Sequence, residues 1–339
     1  MSWVLITSAS GFTGSHVVHH LLEAGYLVRG TARSARKAEQ VRDAYAGTAY
    51  RNRFQVAIVP DFATSDMTEA FRGVSAVIHV GCPLGGSPEV VLEGAVSGTK
   101  NILRHALKAG VKKIVATSSI VCMAKFEDFW KRRVIGVNDW NTQCYEDAFD
   151  PDRGLFDAYA VAKSLAEQEL RRFHIKHPDV DVTTIHPPFI YGPYGHCQVT
   201  DNDSFVRLNS NGLLYALISG SPDRSLSTQS SVMPMFVHVS DLARAHVLAL
   251  KTPPSKQPKR ILISGGSFTW QDAIELIAKM RPQLQHRLPK YEEANAQPCA
   301  SLDTSSARQI LGIKRYRGWR ETVLETIDSL IRMEQQLGL

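Results

Sequence analysis

The chain contains 339 residues, of which 44% are hydrophobic and 21% are charged, and its net charge at pH 7 is +6. This composition is typical of a globular protein with a substantial core and excludes a disordered or fibrous chain. The basic residues are dispersed, and the densest group, at positions 131–133, is too short to indicate a nucleic-acid-binding surface. No apolar stretch approaches membrane-spanning length, so we expect no membrane segment.

The cysteines are five in number and show none of the paired spacings typical of metal sites or disulfide scaffolds. The amino terminus runs directly into apolar residues, without a basic segment that resembles a secretory signal. We therefore expect a cytoplasmic protein with reduced thiols and no metal.

A predicted strand at residues 3–7 is followed by the turn Ser8-Ala9-Ser10-Gly11-Phe12-Thr13-Gly14 and then by an amphipathic helix. This order predicts a dinucleotide-binding turn, in which the helix N-terminus holds a pyrophosphate. Gly11 would let the backbone approach the phosphates, and Gly14 would let helix and strand pack closely. Ser8 stands where this motif usually has a glycine, and a plain strand-to-helix loop is the alternative. The expected cofactor contacts are Thr7, Gly11, Phe12, Thr13 and Gly14.

The second predicted strand, at residues 27–32, ends in Arg33-Ser34-Ala35-Arg36-Lys37. Enzymes that prefer NAD usually place a carboxylate here to bind the ribose 2′-hydroxyl. This sequence has none, and Arg33, Arg36 and Lys37 carry charges suited to a 2′-phosphate. A basic helix start at the surface is the alternative. The pattern favours NADP(H).

Two further strand ends supply candidate cofactor contacts. After a predicted strand at 54–59, Asp61 would accept a hydrogen bond from the adenine amino group and Phe62 would line the ring. A loop cap and a core residue are the alternatives. After a predicted strand at 76–80, the segment Val80-Gly81-Cys82 would pass the nicotinamide ribose. We interpret Cys82 as a small packing residue, because no neighbouring base is evident that would activate its thiol.

Strands and helices alternate through residues 1–190, which predicts an α/β fold with a Rossmann-type, doubly wound parallel sheet. Ligands of such sheets bind at the carboxyl ends of the strands, and Thr7, Cys82, Ser119 and Pro187 all fall at such ends. We expect residues 232–264 to return to this NADP(H)-binding domain. Residues 191–231 and 265–339 are predicted to form a smaller substrate-binding lobe.

A long polar and aromatic insertion occupies residues 121–156. We expect a segment of this length to cover the site and to set the substrate range, although each of its rings is equally compatible with packing on the lobe. Its aromatic residues include Phe126, Phe129, Trp130, Trp140 and Tyr145.

Tyr159 and Lys163 lie four residues apart on a predicted helix, so their side chains project side by side. An ammonium beside a phenol stabilises the phenolate, which would lower the tyrosine pKa below about 10 and make it a proton donor near neutral pH. A surface tyrosine above a solvated lysine is the alternative, since this pair alone is a common pattern.

Together these motifs resemble the extended short-chain dehydrogenase/reductase superfamily, most of all its fungal aldehyde and methylglyoxal reductases and plant dihydroflavonol reductases. The resemblance covers nearly the whole chain, including residues 7–14, 29–34, 117–119, 138–141, 186–193, 236–241, 268–270 and 318–320. It implies that Tyr159 is the catalytic acid and that Lys163 assists it and binds the nicotinamide ribose. It also implies that Ser119 orients the substrate carbonyl, with Ser118 as the alternative by one position.

The same resemblance implies that Arg33 and Lys37 contact a 2′-phosphate, and that Pro187, Phe189 and Ile190 lie against the cofactor. Besides Ser8, the chain departs from the family pattern at Ala162, where a serine commonly precedes the lysine.

The implied function is NADPH-dependent reduction of a small aldehyde or ketone, by a monomer or homodimer without a nucleic-acid or membrane partner. One alternative is a sugar-nucleotide epimerase or a hydroxysteroid-type dehydrogenase with the same three site residues. Another is a non-catalytic NADP(H)-binding regulator, which the presence of Ser119, Tyr159 and Lys163 disfavours.

Overall fold

The computed structural model describes residues 2–83, 85–150, 155–198, 209–224, 232–290 and 298–339. Its strands are β1 (Trp3–Ile6), β2 (Leu27–Ala32), β3 (Phe54–Ile58), β4 (Val74–His79), β5 (Lys113–Thr117), β6 (Val134–Ile135), β7 (Asp181–His186), β8 (Phe189–Tyr191), β9 (Met235–His238), β10 (Lys259–Leu262), β11 (Gly266–Ser267) and β12 (Ser301–Leu302). Its α-helices are α1 (Phe12–Glu23), α2 (Ala35–Ala46), α3 (Pro88–Leu92), α4 (Gly98–Lys108), α5 (Leu155–Lys176), α6 (Asn211–Tyr215), α7 (Val239–Leu250), α8 (Trp270–Met280), α9 (Ser305–Leu311) and α10 (Trp319–Leu337).

Seven strands form one parallel sheet in the order β10-β7-β5-β4-β1-β2-β3. The chain winds outward from the centre in both directions, so the winding reverses between β1 and β4. Apolar side chains from α1 and α7 pack on one face of the sheet, and those from α4 and α5 pack on the other. The predicted doubly wound α/β sheet is confirmed, and its crevice opens at the carboxyl ends of β1 and β4.

Strand β1 ends at Ile6 and β4 ends at His79, one residue earlier than the sequence predicts in each case. The Thr7 hydroxyl accepts hydrogen bonds from the N–H groups of Val80 and Gly81, at 2.8 and 2.9 Å. These side-chain bonds take the place of the regular ladder, so both strands stop at the crevice.

Within residues 232–264, only β10 belongs to the main sheet, where it pairs with β7 at the edge. Strand β9 pairs instead with β8 and β11 in a separate three-stranded sheet. Helix α7 follows β9 and packs against α1. The division of the chain into two lobes stays a prediction.

The described part of the aromatic insertion consists mainly of short 3₁₀ turns and β6, which pairs with β12. Phe129 is fully buried and packs in a cluster with Met235 from β9, Leu262 from β10 and Ala300. Part of the insertion is therefore core and not a movable cover.

Among the described residues, no helix has the length and apolar character needed to cross a lipid bilayer.

Candidate active site

The turn between β1 and α1 presents backbone N–H groups at the start of the helix. Gly11 is the N-cap residue, with an extended backbone and, in the described structure, no side chain that caps the first turn. The N–H groups of Phe12, Thr13 and Gly14 are therefore available to an anion. A Cβ at Gly14 would lie 2.0 Å from the Ser8 carbonyl oxygen, so only glycine allows this close packing. These features fit a bound pyrophosphate.

Ser8, which departs from the usual glycine pattern, has a φ of 57°, in the left-handed region that favours glycine. Its N–H donates to the Thr31 hydroxyl at 3.0 Å, and the Ala9 N–H donates to the Thr31 carbonyl oxygen at 2.9 Å. Strand β2 thus holds the turn in the conformation that a glycine would adopt without strain.

A buried chain of hydrogen bonds supports the loop after β4. The Thr7 hydroxyl accepts two backbone bonds, so its own proton goes to Nδ1 of His79, 3.1 Å away. His79 Nε2 then donates to the Thr99 hydroxyl at 3.4 Å, while Thr99 donates to the Ala95 carbonyl oxygen. Burial lowers the pKa of His79 to about 3, so its ring is neutral. The network fixes Val80 and Gly81, both predicted cofactor contacts.

The basic residues after β2 lie at the start of α2. Ser34 is the N-cap, and its side chain accepts a hydrogen bond from the Lys37 N–H at 3.3 Å. Arg33 is exposed just before this cap, and Lys37 is half-buried in the first turn. Their position beyond the carboxyl end of β2 is compatible with a 2′-phosphate contact, which stays a prediction.

Asp61 caps its own loop. Its carboxylate accepts hydrogen bonds from the Ala63 N–H at 2.9 Å and the Thr64 hydroxyl at 2.7 Å. Phe62 is half-buried, and a Cβ at Gly81 would come within 2.9 Å of its ring. The structure supports the loop-cap interpretation of Asp61, while the adenine contact stays a prediction.

Ser119, Tyr159 and Lys163 come together at the carboxyl end of β5. Lys163 Nζ donates to the carbonyl oxygen of Thr117, the last residue of β5, at 2.6 Å. Ser119 follows two residues later, and its side chain is close enough to the Tyr159 phenol to lower the pKa of that phenol. Ser119 and Lys163 are buried, and Tyr159 is partly exposed. The structure therefore gathers all three predicted catalytic residues in one place.

The electrostatics of Tyr159 differ from the sequence-based expectation. Burial raises the pKa of Tyr159 above its ordinary value, and the neighbouring thiols of Cys82 and Cys122 act in the same direction. The nearby Ser119 hydroxyl lowers this pKa but does not offset the effect of burial. Lys163 is turned toward Thr117, so in the protein alone its ammonium does not bring the phenol pKa below about 10. The tyrosine is accordingly held in its protonated, proton-donating form.

Cys82 lies in the loop after β4, as predicted, close to both Tyr159 and Lys163. Burial raises the pKa of its thiol. Since the thiolate is the reactive form, this result favours the interpretation of Cys82 as a packing residue.

The segment after β7 lies beside the end of β5. The Ser118 N–H donates to the Ile185 carbonyl oxygen at 2.7 Å, and the Ile120 N–H donates to the Pro187 carbonyl oxygen at 3.1 Å. Pro187 is buried, whereas Phe189 and Ile190, in β8, are half-buried. Pro187, the first of these predicted cofactor contacts, is thus bonded to the residue that follows Ser119.

Four aromatic rings form a row that ends at the candidate acid. The ring centroids of Tyr159 and Phe156 are 6.3 Å apart, those of Phe156 and Phe126 are 5.4 Å apart, and those of Phe126 and Trp130 are 6.4 Å apart. Phe126, Trp130 and Phe156 are all partly exposed. They supply an apolar wall beside the Tyr159 side chain.

Trp140 does not belong to this row. The guanidinium of Arg260 lies 3.7 Å from its ring centroid, and that of Arg171 lies 5.6 Å away. Arg171 is three turns beyond Tyr159 on α5. This position favours the packing interpretation of Trp140.

Several buried polar residues of the site escaped the sequence analysis. His79 and Thr99 support the loop after β4, and Glu167 is hydrogen-bonded to both Ser118 and His186. Position in the chain could have indicated three of them. His79 and His186 end strands of the main sheet, and Glu167 follows Lys163 by one helical turn.

A family model described as the NAD dependent epimerase/dehydratase family matches residues 4–264. The chain belongs to this family. An uncharacterized oxidoreductase of Schizosaccharomyces pombe is 32% identical over 96% of each chain. An NADPH-dependent methylglyoxal reductase of Saccharomyces cerevisiae is 27% identical over 98% of this chain and 99% of the relative. Cinnamoyl-CoA reductase 1 of Petunia hybrida is 31% identical over 83% of this chain and 78% of the relative.

Among solved structures, the yeast methylglyoxal/isovaleraldehyde reductase complexed with NADPH is similar over the whole chain. Its TM-score is 0.83 at 26% identity, and the match covers 99% of this chain and 100% of that one. The resemblance to the extended short-chain dehydrogenase/reductase superfamily is therefore confirmed for both sequence and fold.

Proposed function

We propose that this protein is an NADPH-dependent reductase that converts an aldehyde or ketone to an alcohol. The convergence of Ser119, Tyr159 and Lys163 at the crevice of the doubly wound sheet carries this proposal. The relative named as an NADPH-dependent methylglyoxal reductase supports the same reaction class.

The residues present fit a nicotinamide dinucleotide. The uncapped start of α1 would hold the pyrophosphate, and Gly14 and Gly81 allow the close packing against Ser8 that shapes this turn. Arg33 and Lys37 would pair with a 2′-phosphate, which favours NADPH over NADH. When bound, the cofactor supplies the hydride that the carbonyl carbon accepts.

The protein's own groups act on the carbonyl oxygen. Ser119 and Tyr159 donate hydrogen bonds to it, and Tyr159 transfers its proton as the alkoxide develops. Lys163, held by Thr117, would bind the nicotinamide ribose and place its charge beside the phenolate that forms. Burial of these groups strengthens their electrostatic effect.

The substrate lobe is proposed to comprise residues 191–231 and 265–339. Support comes from a separate apolar cluster in which Tyr191, Leu214, Ile274 and Ile327 pack together. The partly exposed Phe189 packs against this cluster. The cytoplasmic location and the monomeric or homodimeric state stay predictions.

NADPH oxidation measured with a panel of aldehydes, 2-ketoesters, diketones and flavanonols, and repeated with NADH, tests the function. We expect turnover with NADPH and at least one carbonyl, and much weaker turnover with NADH. Tight NADPH binding without turnover of any carbonyl would favour the regulator, and turnover of a sugar nucleotide without net NADPH oxidation would favour an epimerase.

A further inference from the structure

Glu167 lies one helical turn beyond Lys163 on α5 and is buried, with 3% of its surface exposed. Its carboxylate accepts three side-chain hydrogen bonds. The Ser118 hydroxyl and His186 Nε2 donate to Oε2, each at 2.8 Å, and Arg260 Nε donates to Oε1 at 2.6 Å. We call these four side chains the Glu167 network.

Two members of the Glu167 network adjoin proposed active-site residues. Ser118 immediately precedes Ser119, which orients the carbonyl. His186 is the last residue of β7 and immediately precedes Pro187, at the start of the predicted nicotinamide contacts. The carboxylate on α5 is thus hydrogen-bonded to a residue just beyond the end of β5 and to the last residue of β7.

The third member, Arg260, anchors the carboxylate from β10. Besides Glu167, its guanidinium donates to the Asp139 carbonyl oxygen at 2.7 Å and lies over the Trp140 ring. Burial alone would raise the pKa of Glu167, but His186 and Arg260 outweigh it and lower the pKa to about 2. The carboxylate is therefore ionised, and its bonds to Ser118 and His186 are charge-assisted.

Packing alone does not hold Ser118 in place. A small cavity of about 20 Å³ is lined by Ser118, Lys163 and Glu167, together with His79 and Thr99. A side chain that borders empty space can change rotamer without a clash. The Ser118 hydroxyl has two partners, Glu167 Oε2 at 2.8 Å and Cys122 Sγ at 3.2 Å, and the carboxylate is the stronger acceptor.

We propose that Glu167 is a positioning residue with two separable effects. Through Ser118 it sets the backbone that carries the Ser119 hydroxyl, and through His186 it fixes the segment from Pro187 to Ile190 against the nicotinamide. This inference rests on the proposed reductase function, and its two effects are measured by different quantities. Loss of the Ser118 bond is expected to lower kcat, and loss of the His186 bond is expected to weaken NADPH binding.

Ser118→Ala removes the bond to Glu167 and the weaker contact with Cys122 Sγ at 3.2 Å, and it leaves the Glu167–Arg260 pair intact. We expect kcat to fall roughly tenfold because a small misplacement of a reacting group is costly, while the NADPH Kd stays within about twofold. Ser118→Thr retains the hydroxyl and should recover most of the rate. Ser164→Ala is the matched control, because this buried hydroxyl donates only to the Ala160 carbonyl oxygen of its own helix.

His186→Asn shortens the second donor, and it should weaken NADPH binding by roughly tenfold with a smaller effect on kcat. Glu167→Gln should show both defects. Its control is Glu169→Gln on the same helix, which affects only the ion pairs with Lys100 and Arg172 at the surface.

The test compares three measurements between each variant and its control: the kinetic constants, the NADPH affinity from cofactor fluorescence and the melting temperature. A lowered melting temperature with kcat and Kd equal to the controls in both Ser118→Ala and His186→Asn would show a merely structural role and overturn the proposal. If Glu167→Gln fails to fold, Ser118→Ala still tests the positioning role. A wild-type protein that binds NADPH but reduces no carbonyl would refute the proposed function instead, and an unchanged NADPH Kd in His186→Asn would then refute the positioning role separately.

Discussion

The Lys163 ammonium donates a hydrogen bond to the Thr117 carbonyl oxygen at 2.6 Å, and this bond ties α5 to the end of β5. The ammonium group is therefore held at Thr117, which precedes Ser119 by two residues. Lys163 itself follows Tyr159 by about one helical turn on α5. It is also close enough to His79 to help lower the pKa of that ring, after the larger effect of burial. Lys163 therefore lies between the candidate acid and the loop that would carry the cofactor.

Replacement of this ammonium by an apolar chain of similar length tests its dual role. Lys163→Met should raise the KM for NADPH and also lower kcat, because the ribose contact and the charge beside the developing phenolate are lost together. Lys108→Met, at an exposed position on α4, is the control. A variant with altered KM and unchanged kcat would remove Lys163 from the proton-transfer step.

Cofactor preference depends on the basic residues after β2. Arg33→Ala should raise the KM for NADPH by about tenfold to a hundredfold, corresponding to about 1.5–3 kcal/mol for a charge-assisted contact, and should leave the KM for NADH nearly unchanged. Arg42→Ala, an exposed arginine farther along α2, removes the same charge and should have little effect. Equal changes for both cofactors would rule out the 2′-phosphate contact.

The sequence was most informative where local chemistry decides the structure. The alternation of strands with helices, the glycine turn and the spacing of Tyr159 and Lys163 all depend on neighbours in the chain. The Thr7–His79, Ser118–Glu167 and Arg260–Glu167 bonds instead join residues that are 72, 49 and 93 positions apart. The periodicity of a sequence does not reveal such pairs. For the same reason the sequence left the position of Trp140 open and did not reveal the burial that raises the pKa of Tyr159 in the protein alone.

The row of aromatic rings beside Tyr159 is expected to set the substrate range. Phe126→Ala and Phe156→Ala should lower activity toward carbonyls with bulky apolar substituents more than activity toward small aldehydes, because the apolar wall is lost. Trp140→Ala is the matched control from the same insertion, since its ring packs on Arg260. We expect it to lower the melting temperature and leave the activity ratios unchanged. Unchanged ratios in all three variants would assign the whole insertion to packing.

Buried histidines make the fold sensitive to acid. Burial lowers the pKa of His79 to about 3 and that of His246 to about 4, from an ordinary value of 6.5. Between pH 6.5 and 4 the unfolded chain therefore binds more protons than the folded protein, and stability falls as the pH decreases. Each histidine contributes at most about 1.4 kcal/mol per pH unit, so the two together contribute about 3 kcal/mol per unit.

Denaturant unfolding at pH 7 and pH 5 measures this effect. His246→Gln should reduce the difference in unfolding free energy between the two pH values, and His286→Gln, at an exposed site, should not. Equal stability of the wild type at both pH values would contradict the assignment of neutral, buried rings.

Tyr159→Phe is the most direct test of the mechanism, since it keeps the ring and its contact with Phe156 and removes only the hydroxyl. Turnover should fall by about two to four orders of magnitude, as is usual for the loss of a general acid, with little change in NADPH affinity. Tyr26→Phe, at a half-buried tyrosine outside the site, is the control. Because burial raises the pKa of Tyr159, wild-type reduction should show no loss of rate from its deprotonation up to about pH 10, whereas alcohol oxidation, which needs the phenolate, should accelerate as the pH rises. A loss of reduction rate centred below pH 10 would show that Lys163 outweighs burial once the cofactor is bound, and near wild-type turnover by Tyr159→Phe would eliminate this residue as the acid.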